Sequence, residues 1–209
     1  MEQAAVEVFI SYAPEDEALL KELEKHLALL VRQGVIDGWH PGRVSPGEQR
    51  SAVIAERLDR AQVIVLLVSA DFHASHACYE EEFTRALARQ RAGKARLIPV
   101  IVRACDWRVG PLAALEPLPR RRPGDQDAVP VVSWRDRDEA WTDVVQQLRA
   151  LIEQLVEAGA SHRRSVENAP RRRQPPRAAR PVGESPTFRE LGERLEDAYQ
   201  RRDALLKAK

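Results

Sequence analysis

Along the first 160 residues, apolar positions recur with two different periods, and each change of period marks an element. The run Val6-Glu7-Val8-Phe9-Ile10 is β-branched and apolar, and Ser11-Tyr12-Ala13-Pro14 closes it, which predicts a buried strand. From 15 to 33 the period becomes helical, with Leu19, Leu23, Leu27 and Leu30 on one face and charges on the other. Pro14 near the start and Gly34 just past the end are the expected punctuation. Residues 35–39 read as a short strand, 40–47 as an exposed loop, and 51–61 as a helix with Ile54 and Leu58 inward. Residues 63–68 are apolar at every position, the mark of a strand covered on both faces, as in a parallel sheet. A helix from about 79 to 92 follows, then a strand at 96–102 whose internal Pro99 puts it near the sheet edge. An irregular stretch leads to a fifth strand at 129–132 and a helix over 138–158, with Trp141, Val144, Leu148, Leu151 and Leu155 in phase.

Strand and helix alternate about five times, so the expected class is α/β: a doubly wound, five-stranded parallel sheet, flavodoxin-like in outline. In such sheets ligands sit outside the carboxyl ends of the strands. That edge collects Ser11-Tyr12, the loop after Trp39 and the stretch after Ser69.

Beyond the expected domain, 5–158, the composition changes. Residues 159–186 are rich in Pro and Arg with almost no large apolar side chain, which predicts a disordered basic linker. Residues 187–209 place Phe188, Leu191, Leu195 and Tyr199 in one stripe, an amphipathic helix. A single short helix of this kind is not stable by itself, so it is expected to dock back, pair with itself or bind a partner protein.

Charge and cysteine usage narrow the function classes. The net charge of +1 conceals seven Arg against two Glu in 161–186, which leaves the first 160 residues net acidic. No aromatic residue interrupts the arginines, so a solvated spacer is expected and a nucleic-acid partner is not. No apolar run approaches the roughly 20 residues that span a bilayer. The acidic start and only two cysteines, Cys78 and Cys105, predict a cytoplasmic protein with reduced thiols and no secretory signal. His73, His76 and Cys78 lack the spacing of a structural metal site, and His76 lies too close in sequence to serve Cys78 as a positioned base. No Gly-rich phosphate loop is present.

Four motifs in order give the chain a family resemblance. They are Phe9-Ile10-Ser11-Tyr12-Ala13 followed by Glu15-Asp16; Trp39 and then Pro46-Gly47 before a helix; Val65-Leu66-Leu67-Val68-Ser69 with Asp71-Phe72, Ser75 and 78–83; and Ile98-Pro99-Val100-Ile101 with Cys105-Asp106-Trp107, Trp134 and Trp141. Together they resemble a bacterial TIR (Toll/interleukin-1 receptor) domain over residues 5–158. The resemblance implies one of two activities. Some members are non-catalytic adaptors that act through homotypic TIR contacts, here through the BB loop around Pro46-Gly47. Others resemble glycosidases that cleave NAD⁺ at the nicotinamide–ribose bond in bacterial immune or toxin-like signalling. Those enzymes act when self-associated, with NAD⁺ as substrate, no cofactor and no metal.

The enzymatic reading needs a carboxylate, because breaking that bond leaves an oxocarbenium-like ribose while nicotinamide departs neutral. Glu80, Glu81 and Glu82 compete for the role. The family's glutamate follows an aromatic or cysteine position by four residues, and Cys78 plus four is Glu82, with Phe83 next. On a helix that offset puts Cys78 and Glu82 on one face, with Glu81 about 100° away. Glu82 is therefore the expected catalytic residue, at a cleft edge, with Glu81 as the alternative. Many eukaryotic members have Trp where Cys78 stands. Ser11, Tyr12, Trp39, Arg43, Ser69 and Cys78 are expected to line the NAD⁺ cleft. In it Arg43 would pair with a pyrophosphate, and Trp39 would either stack on a ring or pack as a core aromatic. Gly47 is expected to serve the turn rather than the ligand.

Overall fold

The computed structural model of the 209-residue chain describes residues 5–120 and 128–167. Four parallel strands form the sheet: β1 (Val6–Tyr12), β2 (Ile36–Trp39), β3 (Val63–Val68) and β4 (Arg96–Ile101), in the order β2-β1-β3-β4. Helix α1 (Glu17–Arg32) links β1 to β2, and α2 (Arg50–Arg60) links β2 to β3. A short α3 (Ala70–Ala74), a π-helical segment (His76–Phe83) and α4 (Thr84–Arg91) lead from β3 to β4. Helix α5 (Arg137–Glu167) is the last element among the described residues.

The uninterrupted apolar run in β3 is divided residue by residue between the two faces of the sheet. Val63, Val65 and Leu67 join Val8 and Ile10 against α1 and α5, where Leu20, Leu23, Leu27, Trp141, Val144 and Leu148 are buried. Ile64, Leu66 and Val68 join Phe9 against Leu58 of α2 and against Phe72, Phe83 and Ala86. Each face is a separate core, and truncating a wholly buried leucine such as Leu23 is expected to cost about 2–5 kcal/mol.

Two expectations need correction. Residues 129–132 do not form a fifth strand. Pro130 has no N–H to give to a ladder, the Trp134 indole takes the Val129 carbonyl at 3.1 Å, and a 3₁₀ turn, Val131–Ser133, follows. The outer edge of β4 is met at a single bridge by Leu118, whose carbonyl accepts from Ile101 N at 2.7 Å and whose N–H donates to Pro99 O at 2.9 Å. Pro99 thus turns its missing donor toward the edge. The second correction concerns α5, which runs on to Glu167, so the first residues expected as linker are helical. No Pro occurs between 138 and 167 to stop it. The remaining linker, 168–186, and the amphipathic helix expected at 187–209 lie outside the described residues.

The strand order reverses between β1 and β3, which flank the switch point of the sheet. Ser11 is the penultimate residue of β1 there and Ser69 follows β3 directly, so the topology brings two strand-end serines to the crevice edge.

Candidate functional site

The last two residues of β1 hold the π-helical segment from beneath. Ser11 Oγ donates to Glu82 Oε2 at 2.5 Å, and the Tyr12 carbonyl accepts from Cys78 Sγ at 3.3 Å. The four-residue offset thus aims both side chains at β1. The segment starts at Ser75, whose hydroxyl accepts from Cys78 N at 3.3 Å, and ends where Thr84 Oγ1 donates to the carbonyl of Tyr79, five residues back, at 3.4 Å. Widened turns of this kind recur at functional sites because they displace a side chain from the ordinary helical phase.

Glu82 is 5% exposed, whereas Glu80 and Glu81 are exposed and Glu81 pairs with His76 at 3.5 Å. Glu82 therefore lies inside the protein rather than at a cleft edge. Burial pushes its carboxyl pKa up to about 7, against the opposing pull of the Ser11 hydrogen bond and the Arg50 charge. Burial also holds the Cys78 thiol at about 11, which keeps it a neutral hydrogen-bond donor and not a nucleophile. Among the described residues no group of His, Cys, Asp and Glu is arranged to hold a metal ion, and both cysteines are free thiols.

Glu82 opens onto a cavity of about 920 Å³ between α2 and the segment that runs from Ala77 into α4. Gln49, Arg50, Ser51, Ile54 and Leu58 form one wall, and Ala77, Glu80, Glu81, Thr84 and Arg85 the other. Its size is that of small-molecule sites, with apolar walls and a few polar groups.

The structure gathers some of the expected site residues and disperses others. Ser11 bonds Glu82, and Cys78 bonds the Tyr12 carbonyl beside it, but none of these three lines the cavity, and neither do Trp39, Arg43 and Ser69. Trp39 packs on Phe9, ring centroids 5.5 Å apart, beneath the guanidinium of Arg57. Arg43 turns back to α1, donating to Glu24 at 2.9 Å and to the Gly38 carbonyl at 2.6 Å. Ser69 caps α3 through Phe72 N and donates to the buried Asp16 at 2.5 Å. Gly47 takes a φ of +91° after Pro46, the geometry of a turn residue.

Four residues with roles at this edge were missed. Asp16 and Arg103, with Asp71, form an ion-pair cluster around Ser69. No local pattern marks that cluster, because its members come from separate connections. Arg50 had a readable signal: it precedes the inward Ile54 and Leu58 by one and two turns of the same helix.

The TIR-domain family profile matches residues 8–149, more than half of the chain. The chain belongs to the TIR domain family. An uncharacterised protein of the bacterium Sinorhizobium fredii is 44% identical over 142 residues, which are 68% of this chain and 42% of that protein, so the matched region spans under half the length of this relative. The TIR domain of a Toll-related receptor from Hydra magnipapillata superposes with a TM-score of 0.46 at 20% identity, covering 68% of this chain and 97% of that one. Among the described residues no helix of this TIR protein is long and apolar enough to cross a membrane.

Proposed function

We propose that this TIR domain is an NAD⁺ glycohydrolase with Glu82 as its catalytic carboxylate, acting in bacterial immune or toxin-like signalling. One observation carries the reading: a buried carboxylate, held among the described residues by one hydroxyl, faces a cavity large enough for a dinucleotide. A structural glutamate would be exposed, as Glu80 and Glu81 are, or matched by a cation. Membership of the TIR family, which includes enzymes of this kind, supports NAD⁺ as the substrate.

In the proposed reaction the C1′–N1 bond of the nicotinamide riboside unit breaks, and its electron pair leaves with N1, neutralising the pyridinium. Glu82, ionised, stabilises the cationic ribose left behind. Water then adds at C1′ and releases a proton, giving ADP-ribose; capture of C1′ by an atom of the same ADP-ribose gives a cyclic isomer instead. The cationic ring of NAD⁺ favours the ionised form of a carboxyl whose pKa stands at about 7 when the site is empty. Activity is therefore expected to fall as pH drops below 7. Ser11 orients the carboxylate through Oε2 and leaves Oε1 for the sugar. Self-association through homotypic TIR contacts would raise the active fraction.

The test is NAD⁺ consumption followed by chromatography with mass detection, on concentrated or artificially clustered full-length protein, with Glu82→Ala and Glu82→Gln as comparisons. Nicotinamide released by the wild type alone supports the enzyme and identifies its product by mass. Intact NAD⁺ in all three, even when clustered, replaces the reading with a non-catalytic TIR adaptor. Activity kept in both variants but lost in Glu81→Ala moves the role by one residue.

A further inference from the structure

Two guanidinium groups line the cavity that Glu82 faces, and they are in different states. Arg85 is fully engaged: its Nε donates to Asp59 at 2.8 Å and its Nη2 to the other oxygen of the same carboxylate. Arg50 has only a neutral partner, the Pro41 carbonyl at 3.0 Å from Nη1, and no carboxylate within ion-pair distance among the described residues. Its Nε and Nη2 are left for a ligand. Arg50 opens the first turn of α2, a position whose helix dipole disfavours a cation, so helix stability does not explain the charge there. The opposite wall carries Glu80, Glu81 and Glu82. The cavity is thus lined by opposite charges, carboxylates on the π-helical side and one uncommitted guanidinium on the α2 side.

We infer that Arg50 is the anion-holding residue of this cavity, taking the pyrophosphate of a dinucleotide whose cationic ring and ribose lie at Glu82. This assignment rests on the reading proposed above and gives the substrate a direction, with its positive end toward the acidic wall and its negative middle toward α2. A guanidinium suits the task because its planar fork can meet two phosphate oxygens at once, which an ammonium cannot. The same side chain ties the ligand to the 40–47 loop, since Nη1 already holds Pro41. Arg43 would then brace the loop on α1 rather than bind the pyrophosphate.

The experiment is titration calorimetry of the full-length protein with ADP-ribose, which carries the pyrophosphate but has no nicotinamide to lose. Wild type is compared with Arg50→Ala and Arg50→Lys, and the melting temperature of each free protein is recorded alongside. Loss of a charge-assisted hydrogen-bond pair predicts about tenfold or greater weakening in Arg50→Ala. Arg50→Lys should recover part of it, and inorganic pyrophosphate should compete with ADP-ribose for the wild type. Equal affinity in wild type and Arg50→Ala overturns the assignment, as does a wild type that binds no ADP-ribose. Equal weakening in both variants, tracking their melting temperatures, overturns it too, by showing Arg50 to be only a brace for the loop. The outcome is separable from nicotinamide release: Arg50-dependent binding in a chain that releases none keeps the anion subsite and rejects the hydrolase.

Discussion

Two serines at the ends of adjacent strands each donate a 2.5 Å hydrogen bond to a buried carboxylate, Ser11 to Glu82 and Ser69 to Asp16. Their surroundings then diverge. Asp16 also receives Arg103 Nε at 2.7 Å, and Arg103 reaches on to Asp71, so that carboxylate is ion-paired within a cluster of four side chains. Glu82 has no ion-pair partner among the described residues, and burial raises its pKa to about 7. A hydroxyl orients a buried carboxylate but does not balance its charge; a guanidinium does both. The ion-paired carboxylate fastens the turn after β1 to Ser69 after β3 and to Arg103, two residues past β4, while the unpaired one faces the cavity. On the proposed reading, a carboxylate that meets a cationic ring is better left without an ion-pair partner of its own.

The largest expected effect comes from removing the balance. Arg103→Ala leaves Asp16 buried with only Ser69, and should lower unfolding free energy by about 3 kcal/mol at pH 7 in urea titrations. A loss below about 1 kcal/mol would show that the Arg103 ion pair is not what keeps Asp16 buried, erasing the contrast with Glu82.

Glu82→Gln tests the other side. Because its folded pKa lies above the unfolded value, wild-type Glu82 favours the folded state below about pH 4.5 and loses that contribution as pH rises to about 7. Glutamine does not titrate, so the variant should match wild type near pH 4 and be more stable at pH 8, by at most about 3 kcal/mol. Denaturant midpoints at the two pH values check it, and a variant less stable at pH 8 would mean the carboxylate has a cation after all.

Ser11→Ala should move the activity profile rather than stability. The hydroxyl holds the Glu82 pKa down, so its loss should shift the acidic limb of the pH–rate curve upward by about one unit. An unmoved limb would show that Ser11 only positions the carboxylate. Smallest is Arg43→Ala: its pair with Glu24 has the same chemistry as Asp16–Arg103, but the two side chains are 50% and 33% exposed. Solvent screening limits the expected loss to about 0.5 kcal/mol; a drop comparable to that of Arg103→Ala would mean exposure is not what separates them.

The readable part of this site was the part carried by one element. Cys78 and Glu82 belong to a single segment, and the four-residue offset that aims both at β1 survived the change from the α turn expected over 79–92 to the π turn observed from His76 to Phe83. Arg50 could have been found the same way, one turn before Ile54. Trp39 and Arg43 were expected at the cleft because they lie near the carboxyl end of β2. Where such a side chain ends is set by its neighbours, and Phe9 and Glu24 hold these two elsewhere. The missing fifth strand has a similar cause: 129–132 has strand composition, but the Trp134 indole and Pro130 take away a ladder acceptor and donor.

Periodicity in the chain was enough to set the parallel α/β sheet and the division of β3 between two cores, because each follows from which residues repel water along one element, and Pro99, which lacks an N–H, set the edge position of β4. Only the tertiary structure decided which charges meet. The offset from Cys78 points to one of three adjacent glutamates, but only burial beneath Ser11, beside Arg50 and with Arg85 held by Asp59, gives Glu82 its distinct charge state. Desolvation and pairing act through space between residues as far apart in the chain as 11 and 82, and no local pattern records such distances.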